Sequence, residues 1–283
     1  MDIKLLKKLR TETGAGMLEC KEALTKYHDD YQKALNHLLE NISKKEGNQR
    51  VASKGMCKIV IKADEAILFE VNAETDFVTK NEHFKNLVET IGDHLIKSDV
   101  TNAKTALKVT IDDKTVEDLI NRTSGIISEQ VSLRRFYRVK KDKSQGFGSY
   151  THMQGKLVTL VILNFDNKEI ADQLAMQVAA MNAEYLDLSL IDEDTMNYEK
   201  FMYEKQNGSF NQQQFDIYTK NKTLLSQPWI KDSAITVKGF IDQNDIKIID
   251  FFKFELGQGI DNKLNCRLDI PCDGSKITVT PVY

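Results

Sequence analysis

The side chains that carry chemistry are sparse in this chain, and few stand at spacings that let them act together. The five histidines, His28, His37, His83, His94 and His152, include no HxxxH or HxH pair, the arrangements that set two imidazoles on one side of a metal. The four cysteines, Cys20, Cys57, Cys266 and Cys272, form no CxxC and no Cys/His zinc spacing, so reduced thiols are expected. Cys20 falls on an apolar helical stripe and reads as a small buried hydrophobe rather than a nucleophile, and the sequence has no Gly-x-Ser-x-Gly elbow. Thr13-Gly14-Ala15-Gly16-Met17 looks like a phosphate loop only superficially. A helix precedes it, and it lacks both a third glycine and a Gly-Lys-Ser/Thr step. The residues therefore predict no catalytic side chain, no metal site and no nucleotide held in that loop. Its glycines read as a tight corner between two helices, either purely structural or also a docking surface, since Arg10, Met17 and Leu18 would project beside it.

Two stretches keep binding chemistry. Leu133 to Lys143 (LRRFYRVKKDK) sets Arg134, Arg135, Arg138, Lys140, Lys141 and Lys143 against one acid, Asp142, with Phe136 and Tyr137 interleaved. Cations among aromatic rings suit a nucleic-acid backbone and its bases. On a chain of net charge −3, however, a lone basic run is more often a solvated helix end or strand edge. An RNA-binding adaptor using residues 133–143 is thus the alternative function. The second stretch, Glu74-Thr75-Asp76-Phe77-Val78-Thr79-Lys80, stands between a strand and a helix. Either Asp76 caps that helix with Phe77 in the core, or the turn is exposed and forms a wedge. In the second case the ring fills an apolar pocket while the carboxylate perturbs the charges around it.

The elements that must position these residues follow from patterning. With 41% apolar and 29% charged residues, the chain can build a core under a solvated surface, which excludes a disordered or collagen-like polymer. Its 283 residues predict about two or three domains. The longest greasy run, Leu157 to Phe165, is strand-sized, so no membrane span is expected. The N-terminus resembles neither a secretory nor a transit peptide, and the cytoplasm is the expected compartment.

Three short helices are expected before residue 43, with Ile3, Leu6 and Leu9, then Met17, Cys20, Leu24 and Tyr27, then Tyr31, Leu35, Leu38 and Ile42 at helical spacing. A bundle so small suits a recognition module on a tether, the polar run from Ser43 to Ser53. A period of two over Met56 to Lys62 and Ala66 to Val71 predicts a hairpin, followed by a helix burying Phe84, Leu87, Val88, Ile91 and Leu95. Helices are predicted from Thr115, capped by Thr115 and Asp118, and from Ser124 towards Phe136. A second hairpin, Gly148 to Met153 and Lys156 to Phe165, precedes a helix over Glu169 to Met181 with Ile170, Leu174, Val178 and Met181 inward. Hairpin followed by helix thus occurs twice. Residues 192–226 read as two amphipathic helices broken at Asn207, Gly208 and Ser209. Ile235 to Ile241 is a short strand or helix, Ile246 to Leu256 is β-rich, and Asn262 to Tyr283 is an extended tail.

Leu9 to Leu24, LRTETGAGMLECKEAL, closely resembles the opening of the bacterial elongation factor Ts family. NAETDFVTK (Asn72 to Lys80), IISEQVSLRR (Ile126 to Arg135), GSYTH (Gly148 to His152), AMQVAAMN (Ala175 to Asn182), LSQPWIKD (Leu225 to Asp232) and FELGQGI (Phe254 to Ile260) extend the resemblance in the family's order. Three positions depart from it: Gln258 and Gln130 stand where the family has Glu and Asn, and Ala183 where it often has Pro.

The resemblance implies an α+β fold. It comprises a UBA-like three-helix bundle (1–43), a linker (44–55), a core N-subdomain (56–145), a core C-subdomain (146–191 and 227–262), an inserted antiparallel coiled-coil hairpin (192–226) and a tail (263–283). It implies a guanine-nucleotide exchange factor that binds elongation factor Tu·GDP, disrupts its Mg²⁺/phosphate site and promotes GDP release. Such a factor has no cofactor, no covalent chemistry and no nucleotide site of its own, and requires no nucleic acid. The family's partner-entering turn falls here on Thr75, Asp76, Phe77 and Val78. Its N-terminal contacts fall on Arg10, Met17, Leu18 and Lys21, and its C-subdomain contact on His152.

Overall fold

The computed structural model describes residues 3–13, 17–44 and 52–259. The predicted corner Gly14 to Gly16, residues 45–51 of the linker, Cys266, Cys272 and the tail lie outside the described residues. The chain divides into two compact units, and each is described by itself.

The first unit opens with helices α1 (Ile3–Thr13), α2 (Met17–Lys26) and α3 (Tyr31–Lys44), whose Leu6, Leu9, Cys20, Ala23, Leu24, Ala34 and Leu38 form a small core. It continues as strand β1 (Lys54–Lys62), strand β2 (Glu65–Ala73), a 3₁₀ turn (Asp76–Lys80), helix α4 (Glu82–Leu95), the short helix α5 (Ala103–Ala106), the two-residue strands β3 (Thr110–Ile111) and β4 (Lys114–Thr115), helix α6 (Val116–Ile127) and strand β5 (Ser132–Lys140). β1 and β2 form the expected antiparallel hairpin, and the sheet order is β1-β2-β5. Phe84, Leu87, Val88, Ile91 and Leu95 of α4 all face the core, against Ile67, Phe69 and Val71 of β2. That burial follows from their helical spacing.

Two expectations met different outcomes at α6. Thr115 and Asp118 make a reciprocal capping box, as the residues predict. A second helix running from Ser124 towards Phe136 does not form. Helix α6 ends at Ile127, followed by Ser128, which adopts a left-handed conformation (φ 57°) that breaks the helical path, and Ser132–Lys140 is instead strand β5.

The second unit contains strands β6 (Gly146–His152) and β7 (Leu157–Leu163), helices α7 (Lys168–Ala180), α8 (Glu193–Asn207) and α9 (Gln212–Lys222), strands β8 (Pro228–Trp229) and β9 (Asp232–Thr236), helix α10 (Val237–Gln243) and strand β10 (Ile248–Glu255). Its main sheet has the order β10-β7-β6. In both units, therefore, the third strand pairs with the second strand of the hairpin. Gly148 lets α7 lie directly on β6: a β-carbon there would sit 2.0 Å from the backbone carbon of Ala171. Leu174 and Val178 face inward as expected, whereas Met181 is exposed because the helix ends before it, at Ala180.

α8 and α9 are tied by polar side chains as well as by rings. The buried Glu199 carboxylate accepts hydrogen bonds from Tyr185 Oη at 2.6 Å, Tyr218 Oη at 2.9 Å and Lys222 Nζ at 2.8 Å. Burial pushes its pKa upward, but these donors outweigh that and hold the carboxyl below its ordinary range. Ile235 to Ile241 is both strand and helix, the change falling between Thr236 and Val237, where the Thr236 hydroxyl caps α10. Among the described residues no helix is long and apolar enough to cross a membrane.

Candidate partner-binding site

The turn after β2 resolves the two readings of Phe77. Asp76 and Phe77 are exposed, the ring by 74%, while the next residue, Val78, is buried in the first unit's core. The carboxylate and the ring thus stand together in solvent on a base anchored by Val78. Downstream, Asn81 N–H donates to Val78 O at 2.9 Å, and the Asn81 side chain accepts from His83 N–H at 2.8 Å, starting α4 directly behind the turn. Asn81, rather than Asp76, is the cap of that helix.

Upstream, Thr75 occupies the cap position of the 3₁₀ turn yet makes no capping hydrogen bond. Its hydroxyl and N–H both donate to Glu129, at 2.6 Å to Oε1 and 2.9 Å to Oε2. Glu74 answers in the opposite sense, accepting from Gln130 N–H at 3.2 Å. Glu129 lay outside the candidate residues read from the sequence. Its partner is 54 positions away, and no local period signals such a contact.

At the N-terminus, Arg10, Met17, Leu18 and Lys21 are exposed on α1 and α2, with Leu18 67% accessible. Met17 does not share the burial of Cys20 and Leu24 on the α2 stripe; it faces solvent. Two large apolar side chains between two cations form a surface suited to an apolar contact with a charged rim. His152 is exposed at the end of β6 in the second unit, with its ring stacked on Tyr150 at 6.0 Å and Nδ1 3.4 Å from the Tyr150 hydroxyl.

The basic stretch is divided: its arginines turn inward, whereas Tyr137, Lys140 and Lys143 are exposed. Glu70 of β2 is wholly buried, and its oxygens accept from Arg134 Nη1 at 3.1 and 3.0 Å, Arg135 Nε at 2.5 Å and Gly257 N–H at 3.0 Å. Arg135 is only 4% exposed. Arg138 bonds the carboxylate of Glu65 and the carbonyls of Val100 and Leu95. Three of the six cations are thereby consumed as braces; the stretch is an edge strand, as the solvated-edge reading has it, but its arginines are not solvated, which removes them from any nucleic-acid surface. Arg134 Nη2 also donates to the Gln258 backbone carbonyl at 2.5 Å, so the contact is indifferent to Gln or Glu at that position.

Among the described residues neither cysteine is an activated nucleophile. Burial pushes the Cys20 thiol up, and burial followed by the Glu70 charge pushes Cys57 up much further, the reverse of an activated thiolate. Among the described residues no group of three or more His, Cys, Asp and Glu side chains is arranged to hold a metal ion.

Comparison with known proteins identifies the family of the chain. The family model described as Elongation factor TS matches residues 74–258. The chain belongs to the elongation factor Ts family. It is 35% identical over 279 residues to elongation factor Ts of Acholeplasma laidlawii, covering 92% of this chain and 94% of that protein. It is 36% identical over 287 residues to the protein of that name from Halothermothrix orenii, covering 93% and 94%. With the Lactiplantibacillus plantarum protein the identity is 33% over 283 residues, with the same coverage. Elongation factor Ts proteins serve translation elongation in protein biosynthesis, and the family match opens at Glu74, on the turn, and closes at Gln258, on the segment that seats against the Glu70 arginines.

Proposed function

We propose that this chain is a guanine-nucleotide exchange factor for the GTPase elongation factor Tu, and that the Thr75 to Val78 turn is the part that opens the nucleotide site. A GTPase holds GDP through backbone N–H groups, a lysine and Mg²⁺, all acting on the phosphates. Phe77 inserts between elements of the GTPase while Asp76 disturbs the Mg²⁺ shell, so the phosphate site weakens and GDP leaves. Factor and nucleotide weaken each other's binding by the same ratio, so abundant GTP later displaces the factor. No bond is made or broken, and the chain contributes no cofactor or nucleotide site.

The observation that carries this reading is the 74% exposure of Phe77 beside the exposed Asp76, on a turn whose next residue is core. A ring left in water costs solvation unless a partner covers it, and aromatic anchors of this kind dominate interfaces. Arg10, Met17, Leu18 and Lys21, on a UBA-like bundle, form a second contact, and His152, in the C-subdomain, a third. The α8–α9 pair is the coiled-coil hairpin of the family. The test is stopped-flow release of fluorescently labelled GDP from elongation factor Tu. Phe77→Ala is expected to slow release at saturating factor more than it weakens the complex, and a release rate equal to the parent chain's would sink the wedge.

A further inference from the structure

Resting on that reading, we infer that Glu129 is the positioning residue of the exchange turn, holding Thr75 so that Asp76 and Phe77 are presented before any partner arrives. The two loops that meet here grip each other reciprocally. Glu129 takes both donors of Thr75, and Glu74 takes the N–H of Gln130. Each carboxylate thus satisfies donors on the opposite loop, and charge-assisted bonds at 2.6 and 2.9 Å are the strong kind.

The chain bears a cost to place Glu129 there. Ser128 takes a left-handed conformation (φ 57°, ψ 33°), a region uncommon outside glycine, and this carries the chain out of α6. Val131 N–H then bonds the Ser124 hydroxyl at 3.0 Å, fixing the far side of the loop. Thr75 meanwhile gives up the capping role its position offers, because its hydroxyl is committed to Glu129. With Val78 buried on one side and Thr75 clamped on the other, only Asp76 and Phe77 between them are left to solvent. A backbone held in this way loses little conformational entropy when the ring inserts, which favours any wedge.

The experiment uses the full chain with elongation factor Tu·GDP and three comparisons. Glu129→Ala is expected to lower maximal GDP release about tenfold, the loss of a charge-assisted hydrogen bond, and to speed amide hydrogen exchange across residues 74–80 in the free chain. Glu129→Gln should recover most of the rate, since its carbonyl accepts the Thr75 N–H and its amide donates to the Thr75 hydroxyl oxygen. Thr75→Val, which removes one bond and preserves shape, should give a smaller loss that vanishes in the Glu129→Ala background, because both act through one contact. Unchanged amide exchange in Glu129→Ala overturns the inference, as do additive losses in the double variant or an effect confined to melting temperature. Phe77→Ala run alongside separates the two readings. Slow release from Phe77→Ala with normal release from Glu129→Ala defeats the positioning role alone, whereas normal release from Phe77→Ala defeats the wedge reading of the turn, and no acceleration of GDP release by the parent chain defeats the exchange reading itself.

Discussion

Both oxygens of Glu70 accept from Nη1 of Arg134, at 3.1 and 3.0 Å, inside a unit where the carboxylate has no exposure to solvent. Arg135 and the Gly257 N–H complete the set. Removing one member of a buried charged cluster strands the others, at a cost of about 3–5 kcal/mol. Glu70→Ala is therefore expected to lower the urea midpoint severely, with the loss falling on the first unit. A midpoint within experimental error of the parent chain's would show that the cluster contributes no stability.

Phe77 and Val78 are neighbours with opposite surroundings. Phe77→Ala should leave unfolding free energy within about 0.5 kcal/mol of the parent chain, as exposed positions do. Val78→Ala should cost about 2 kcal/mol, from lost burial and the small cavity left behind. Equal losses in paired denaturation curves would contradict this arrangement of the turn.

Asp250 on β10 gives a pH signature. Burial raises its carboxyl to about 6, against a weaker opposing hydrogen bond from Phe251 N–H. The folded state therefore binds its proton more tightly than the unfolded chain, so stability falls as pH rises from about 4 through about 6. Asp250→Asn should remove that decline and stabilise the protein at pH 7 by about 1–2 kcal/mol. The check is a series of melting curves from pH 4 to 8 on both proteins, where parallel profiles would refute the assignment.

Gly148 has no room for a side chain, with the Ala171 backbone carbon and oxygen 2.0 and 2.3 Å from where a β-carbon would lie. Gly148→Ala must push α7 off β6, and a loss of about 3 kcal/mol is expected, at the upper end for overpacking. Thermal unfolding of the single variant decides it.

Elements whose faces follow a simple period were legible in the residues. The first hairpin, α4 and the capping box at Thr115 fell close to their predicted places. Strand β5 was not legible, because its arginines sit where apolar residues would normally mark the inner face. What makes Arg134 and Arg135 tolerable there is Glu70, 64 and 65 positions away. The turn from Thr75 to Val78 divides similarly. An aromatic beside an acid, in a polar stretch followed by an apolar residue, marked Phe77 as either core or exposed, and only its place in the structure, in solvent, decided between them. The clamp from Glu129 left no trace in composition or spacing.

Arg134 and Arg135 reach past their own strand to the carbonyls of Gln258 and Glu255, and Gly257 closes over Glu70. A nascent polypeptide emerges from the ribosome in order, so the first unit, though made mostly from residues up to Val139, lacks these three hydrogen-bonding groups until residues 255–258 have been added. A product ending before Glu255 carries two interior guanidinium groups with those acceptors missing.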